Sequence, residues 1–182
     1  MGFRSAPFAR PRNNVNVRVN CSVASAVLLA QNERSPRLLL LRRSSAQLRD
    51  EWCHVAGGIE PGETAWQAAL REIGEETGLA VQRFYSADYT EQFYEMKRNI
   101  IQIVPAFVAY VDAAQPVRLN SEHSAFRWVT FVEAKQMVPF GSQRRLYEEI
   151  QREFVDREPS HWLAISIAGD LGARLFAEHV FP

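Results

Sequence analysis

Three glutamates crowd one short stretch of this chain. Glu72 and Glu76 stand four residues apart, with Glu75 between them. On a helix, at 100° per residue, their carboxylates fall within about 100° of arc. Like charges this close repel one another, so the arrangement costs stability. A divalent cation would offset that cost. Carboxylate oxygens with no His or Cys beside them favour a hard ion, Mg2+ or Mn2+. The plainer reading is a solvated acidic helix face on which Arg71 pairs with Glu75 at i,i+4.

The elements that must position these groups can be read from the surrounding pattern. Thr64–Thr77 reads as a helix that Gly78 closes. Trp66, Ala69, Leu70 and Ile73 form its apolar stripe at helical spacing, on the side away from the glutamates. Ala65 and Ala68 share the acidic arc and are expected to leave space above it. Gly57-Gly58 and Pro61-Gly62 punctuate the loop before the helix. Upstream, Asn20–Leu29 and Arg37–Arg43 read as a strand hairpin, with a polar turn at Gln31–Arg37, and Trp52–Ala56 as a short strand. Downstream, Phe84–Asp88, Asn99–Tyr110 and Ala125–Val129 read as strands, and Phe131–Val138 and Ser142–Phe154 as helices. Strands and helices interleave without regular βαβ alternation, which predicts an α/β fold with a mixed sheet and helices packed on it.

Gly57, five residues, Glu63, seven residues, then Arg71-Glu72-Ile73-Gly74-Glu75-Glu76-Thr77-Gly78-Leu79 resembles the Nudix box at each of its nine fixed positions. The surrounding pattern resembles the Nudix hydrolase domain over about residues 20–155. The resemblance implies an α/β/α sandwich around a mixed sheet, with the box as loop–helix–loop. It also implies a reaction, the Mg2+-dependent hydrolysis of a nucleoside diphosphate linked to another group. Carried over by position, Glu72, Glu75 and Glu76 would ligate metal, with Glu72 sometimes the base. Glu63 would support the metal shell, Arg71 would orient carboxylates, and the Ala56 carbonyl would join the coordination. Metals would neutralise the phosphates and acidify bound water. Gly57 and Gly58 would let backbone approach the phosphates closely.

A second stretch, Ser121–Val129, is similar to the loop and strand before the final helix in the dihydroneopterin triphosphate and dinucleoside polyphosphate branches. There the Glu of the Glu-His pair lies near the metals, a role that falls on Glu122 as ligand or base. His123 reads as structural. Trp52 resembles a Trp at the same place in those branches, beside the substrate or shielding the loop. Arg42 or Arg43, ending an apolar strand, would contact a phosphate, or is simply a solvated strand end. Phe93 and Tyr94, read as loop aromatics, would stack on a base or cover the core. The overall pattern is most similar to the dihydroneopterin triphosphate/dATP pyrophosphohydrolase branch. The implied product pair is a monophosphate and pyrophosphate. The alternatives are a dinucleoside polyphosphate hydrolase and a non-catalytic nucleotide-binding module.

Composition narrows the field further. The chain has 182 residues, 47% hydrophobic and 23% charged, so it is neither disordered nor collagen-like. Lys+Arg and Asp+Glu are both 21. A net charge of zero supplies no global field for nucleic acid or acidic membrane. The resemblance to the Nudix box implies a small-molecule phosphoanhydride as the partner. No apolar run approaches the roughly 18 residues that span a bilayer. Cys21 and Cys53 form neither a CxxC nor a zinc pattern, which reads as a reducing, cytoplasmic setting. The acid-free, Arg-rich segment 1–19 reads as a flexible tail. Residues 156–182, rich in apolar side chains, are expected to pack on the domain or on a partner subunit. Dimers are common in the family the box resembles, so a homodimer is also expected.

Overall fold

The computed structural model describes residues 16–31, 36–46 and 48–167. A central strand, β2 (Val23–Gln31), organises the sheet. One edge of β2 pairs in parallel with β7 (Ile100–Asp112), from Ser25↔Ala106 to Gln31↔Asp112. Its other edge is shared. Val23–Ala26 pair antiparallel with β5 (Val55–Gly58), while Leu29 opposes Leu38 at the start of β3 (Leu38–Arg43). Beyond them β1 (Arg18–Asn20) and β6 (Val81–Glu95) flank β7, and β4 (Trp52–Cys53) and β8 (His123–Val129) pair with β3. Parallel and antiparallel pairs therefore coexist in one eight-stranded mixed sheet.

Helices cover both faces. On one side α1 (Ala65–Thr77) buries Ala68, Ala69 and Ile73 against Ala24, Ala26, Leu39, Val55 and Phe107. On the other, α2 (Phe131–Met137) and α3 (Gly141–Phe154) bury Phe131, Ala134, Leu146, Tyr147, Ile150 and Phe154 against Val27, Leu38, Leu40 and Val108. Each large apolar side chain removed from water in these two layers stabilises the fold by roughly 1.5–3 kcal/mol. Two of the helices start from capping boxes. Thr64 and Gln67 exchange hydrogen bonds at the head of α1, as do Thr130 and Glu133 at the head of α2, each satisfying amide groups that a helix start leaves orphaned. Gly78, at φ 66°, ends α1 in the left-handed conformation that costs glycine nothing.

The α/β class, the three helices and the layered mixed sheet match the sequence expectation. Some details differ. Arg18 and Val19, within the segment read as tail, join the sheet beside Ile100 and Ile101. Residues 1–15 of that segment lie outside the described residues. The strand after the helix runs on to Glu95, past the Phe84–Asp88 expected. It kinks at Asp88, φ 51°, with a register shift between Ser86 and Thr90, and this bulge breaks the alternation that marks a strand. Phe93 and Tyr94 are therefore strand residues, not loop ones. Ala68 does not leave space above the acidic arc; it is fully buried in the core.

Cys21 and Cys53 are both free thiols, and no helix among the described residues is long and apolar enough to cross a membrane. The start of the C-terminal extension returns to the sheet. Ala164 bridges Tyr85, and the Ile165 amide donates to the Phe84 carbonyl at 2.8 Å. The apolar stretch 168–182 lies outside the described residues.

Candidate active site

The site forms where β5, β3 and the loop before β8 meet one flank of α1. Arg71 is its hub. Its guanidinium forks onto Glu63, with Nε to Oε1 at 2.8 Å and Nη2 to Oε2 at 3.0 Å. The same group donates to Glu72 Oε1 at 2.7 Å, Glu75 Oε2 at 3.1 Å and the Gly58 carbonyl at 2.8 Å. The bond from Arg71 holds the Glu63 carboxyl below its usual range, and Glu63 and Glu72 push the Arg71 guanidinium pKa upward. A planar five-donor guanidinium suits this task, which a lysine ammonium would not perform.

Glu76 has a different environment. It is buried, and its Oε2 has no hydrogen-bond partner among the described residues. Burial pushes its pKa up to about 8, the nearby Glu72 and Glu122 charges push the same way, and Arg43 and a backbone hydrogen bond from Ala56 oppose. A buried carboxylate of this kind is costly unless a cation shares its oxygen. Glu122 stands at the mouth, 3.6 Å from Arg43 Nη2, and its carbonyl accepts the Ser44 amide at 2.8 Å.

The donor set fits a hard divalent cation. The candidate ligands are all oxygen donors, the buried Glu76 Oε2 lacks a partner among the described residues, and Gly57 leaves room for Glu72. A Cβ on Gly57 would stand 2.0 Å from the Glu72 carboxyl carbon. As the side chains stand, no group of three His, Cys, Asp or Glu among the described residues is gathered closely enough to hold an ion. Arg71 instead engages Glu63, Glu72 and Glu75. Glu75 is 56% exposed, against 13% for Glu72.

The residues named from sequence thus separate. The fold brings Glu72, Glu76, Ala56 and Glu122 together, with Glu63 and Glu75 reached through Arg71. Gly57 faces Glu72, whereas a Cβ on Gly58 would meet nothing within 4 Å. Of the two arginines that end β3, Arg43 faces the carboxylates. Arg42 pairs with Asp50 at 3.0 Å, because successive strand residues point to opposite faces. Trp52 packs against the core on the α3 side, with the Arg127 guanidinium 5.3 Å from its ring centre. Tyr94 is exposed, donates to Asn99 Oδ1 at 2.8 Å, and lines a cavity that reaches Ala56 and Arg43.

Sequence reasoning missed the polar cluster beside these groups. His54 and Glu91 are both buried, 3.2 Å apart through His54 Nε2, and His54 Nδ1 lies 3.0 Å from the Tyr147 hydroxyl. Burial pushes the Glu91 carboxyl up, but hydrogen bonds and charge from His54, then Ser142, outweigh it and hold the group below its usual range. His54 and Glu91 line the same cavity, of about 420 Å³, which reaches Ala56, Cys53 and Arg43 at the carboxylate end.

This architecture and its carboxylate-bearing helix place the chain in a known class. Residues 21–157 match the family model described as NUDIX domain, and the chain belongs to the Nudix hydrolase family, whose members generally use a divalent metal such as Mg2+. Over 124 residues it is 30% identical to the asymmetrical bis(5'-nucleosyl)-tetraphosphatase of Mus musculus, covering 67% of this chain and 84% of that one. It is also 37% identical over 110 residues to an octanoyltransferase of Myxococcus xanthus, 59% of this chain but only 30% of that protein's length. Among solved structures, the Escherichia coli dihydroneopterin triphosphate pyrophosphohydrolase shares its fold with a TM-score of 0.58 at 24% identity, covering 74% of this chain and 97% of that one.

Proposed function

We propose that this protein hydrolyses a phosphoanhydride linkage in a small nucleotide-like substrate. With Mg2+, or Mn2+ in its place, it releases pyrophosphate from a nucleoside or dihydroneopterin triphosphate. The observation that carries this reading is the buried Glu76 Oε2, without a partner among the described residues, beside Glu72 and Glu122 at the end of a cavity of about 420 Å³.

Glu72, Glu75 and Glu76 hold the metal in this reading, with the Ala56 backbone and Glu63 supporting them. Bound ions supply charge neutralisation on the diphosphate and lower the pKa of bound water. Arg71 fixes the carboxylate geometry. Glu122, exposed at the mouth, accepts the proton of the attacking water. Arg43 exchanges its contact with Glu122 for a phosphate oxygen. Positioning and electrostatics of this kind account for most of the rate in phosphoryl transfer.

A dinucleoside polyphosphate is the second reading, favoured by the 30% identity to the mouse tetraphosphatase. A panel of dihydroneopterin triphosphate, the dNTPs, diadenosine tetraphosphate and ADP-ribose, with products resolved, separates the two. Pyrophosphate from one triphosphate supports the first, and turnover of the dinucleotide alone supports the second. Nucleotide binding without turnover would make the chain a non-catalytic sensor. The same reading carries a cytoplasmic location and a homodimer, the latter checked by size-exclusion chromatography with light scattering.

A further inference from the structure

The cavity beside the carboxylates has an unusual floor. Glu91 is buried, yet its carboxyl stays on the ionised side because His54 and Ser142 hold it. The Tyr147 hydroxyl, 3.0 Å from Nδ1, orients His54 in turn and sets its Nε2–H toward Glu91 at 3.2 Å. Each Glu91 oxygen keeps a second lone pair, and the residue lines the cavity. Nearby, Gln143 Oε1 is buried without a partner among the described residues. Phe93 from β6 and Phe140 from the start of α3 line the same cavity, and both rings are about half exposed. Two aromatics near the mouth with a fixed carboxylate inside describe a slot for a flat, hydrogen-bonding ring.

An ionised carboxylate only accepts hydrogen bonds. It suits a ring edge with two adjacent N–H donors. The edge of adenine or cytosine sets a ring-nitrogen lone pair beside its amino group, and uracil flanks its single N–H with carbonyls. Both place electron density against the carboxylate. A 2-amino-4-oxopyrimidine edge offers ring N–H and amino N–H side by side. Its carbonyl then meets the Gln143 amide, whose NH2 faces the ring when the group turns over. We propose that Glu91, positioned by His54 and Tyr147, makes this cavity selective for a 2-amino-4-oxopyrimidine ring, carried by guanine nucleotides or by a pterin. The proposal rests on the reading of the glutamate helix as the phosphate end of the same site.

Equilibrium calorimetry with monophosphates tests the pocket without requiring turnover. GMP should bind roughly 10- to 100-fold more tightly than IMP, which lacks only the 2-amino group, and than AMP, as expected for a lost charge-assisted bond. In Glu91→Gln that GMP/IMP ratio should fall to within about threefold of unity. Neopterin monophosphate against GMP names the source: the tighter of the two is the natural ring. Equal binding of GMP and IMP, preference for AMP, binding of none of them, or a folded Glu91→Gln that keeps the discrimination would each overturn the proposal. If the variant fails to fold, the GMP, IMP and AMP comparison on the parent protein still decides. Selective binding without hydrolysis of any triphosphate would refute the hydrolase reading and leave the pocket standing. Hydrolysis without ring selectivity would do the reverse.

Discussion

Replacing Gly57 by alanine places a methyl group where the Glu72 carboxylate now lies. The added Cβ would stand 2.0 Å from Glu72 Cδ and Oε1. Non-bonded heavy atoms settle at about 3.5–4.0 Å, so the carboxylate would have to retreat by about 1.5 Å. Displacing a catalytic group by about 1 Å can cost about 100-fold in rate, and a loss of at least that size in kcat is expected with Mg2+. Stability should move little or rise. Gly57 lies in β5, paired with Ala24 and without a positive φ, so alanine fits the backbone and stiffens the unfolded chain by roughly 0.4–1 kcal/mol. Gly58→Ala is the control, because its Cβ meets nothing within 4 Å and activity should stay near parental. Pyrophosphate release and a thermal melt on the three proteins read both quantities. A Gly57→Ala enzyme at parental kcat would refute the assignment of Glu72. Equal inactivation by Gly58→Ala would show that backbone approach, not crowding of Glu72, is what the glycines supply.

Other expectations follow from the same geometry. Glu76→Gln should keep the fold and lose most activity; turnover at the parental rate with Mg2+ would remove Glu76 from the metal site. Without metal, burial pushes the Glu76 pKa up to about 8 in the folded chain, against 4.5 for an ordinary glutamate. The raised value means the folded state binds the extra proton, so stability in EDTA should fall as pH climbs from about 4.5 to 8, by up to a few kcal/mol at about 1.4 per unit. Mg2+ or Glu76→Gln should flatten that slope in thermal melts, and a flat slope in EDTA would contradict the burial argument. Glu122→Gln should lower kcat with little change in Tm, and an unchanged kcat would return Glu122 to a loop-capping role. Tyr147→Phe should cost about 1–2 kcal/mol in urea unfolding by leaving His54 Nδ1 unpaired in the core; a cost near zero would show that the hydroxyl contact is energetically idle.

Much of the fold and part of the site were legible in the sequence because their signals are local. The helix 65–77 announces itself through Thr64, Gly78 and one apolar stripe, and its carboxylates sit at helical spacing. The site features missed depend on distant partners. Glu91 gains its character from His54 and Ser142, which are far away along the chain and contribute no periodic signal near it. The choice of Arg43 over Arg42 depends on which face of β3 meets α1, and both arginines end the same apolar run. The extent of β6 was hidden by the bulge at Asp88. Ala68 was misjudged for another reason: α1 is clasped by the sheet over a wider arc than its large side chains mark, so a small residue packs closely where space was expected.

The divided edge of β2 bears on how the protein is made. Glu76 and Arg71 belong to a helix whose signals are complete once residue 78 has been synthesised. The mouth of the site is not, because Arg43 faces Glu122 only after β8 has paired with β3, and the sheet also needs β7 paired in parallel with β2. Such long-range pairings form late. A ribosome-bound chain halted before residue 120 would carry the whole glutamate helix and still lack half of its catalytic rim. Activity should therefore emerge only once β8 has left the exit tunnel and paired with β3.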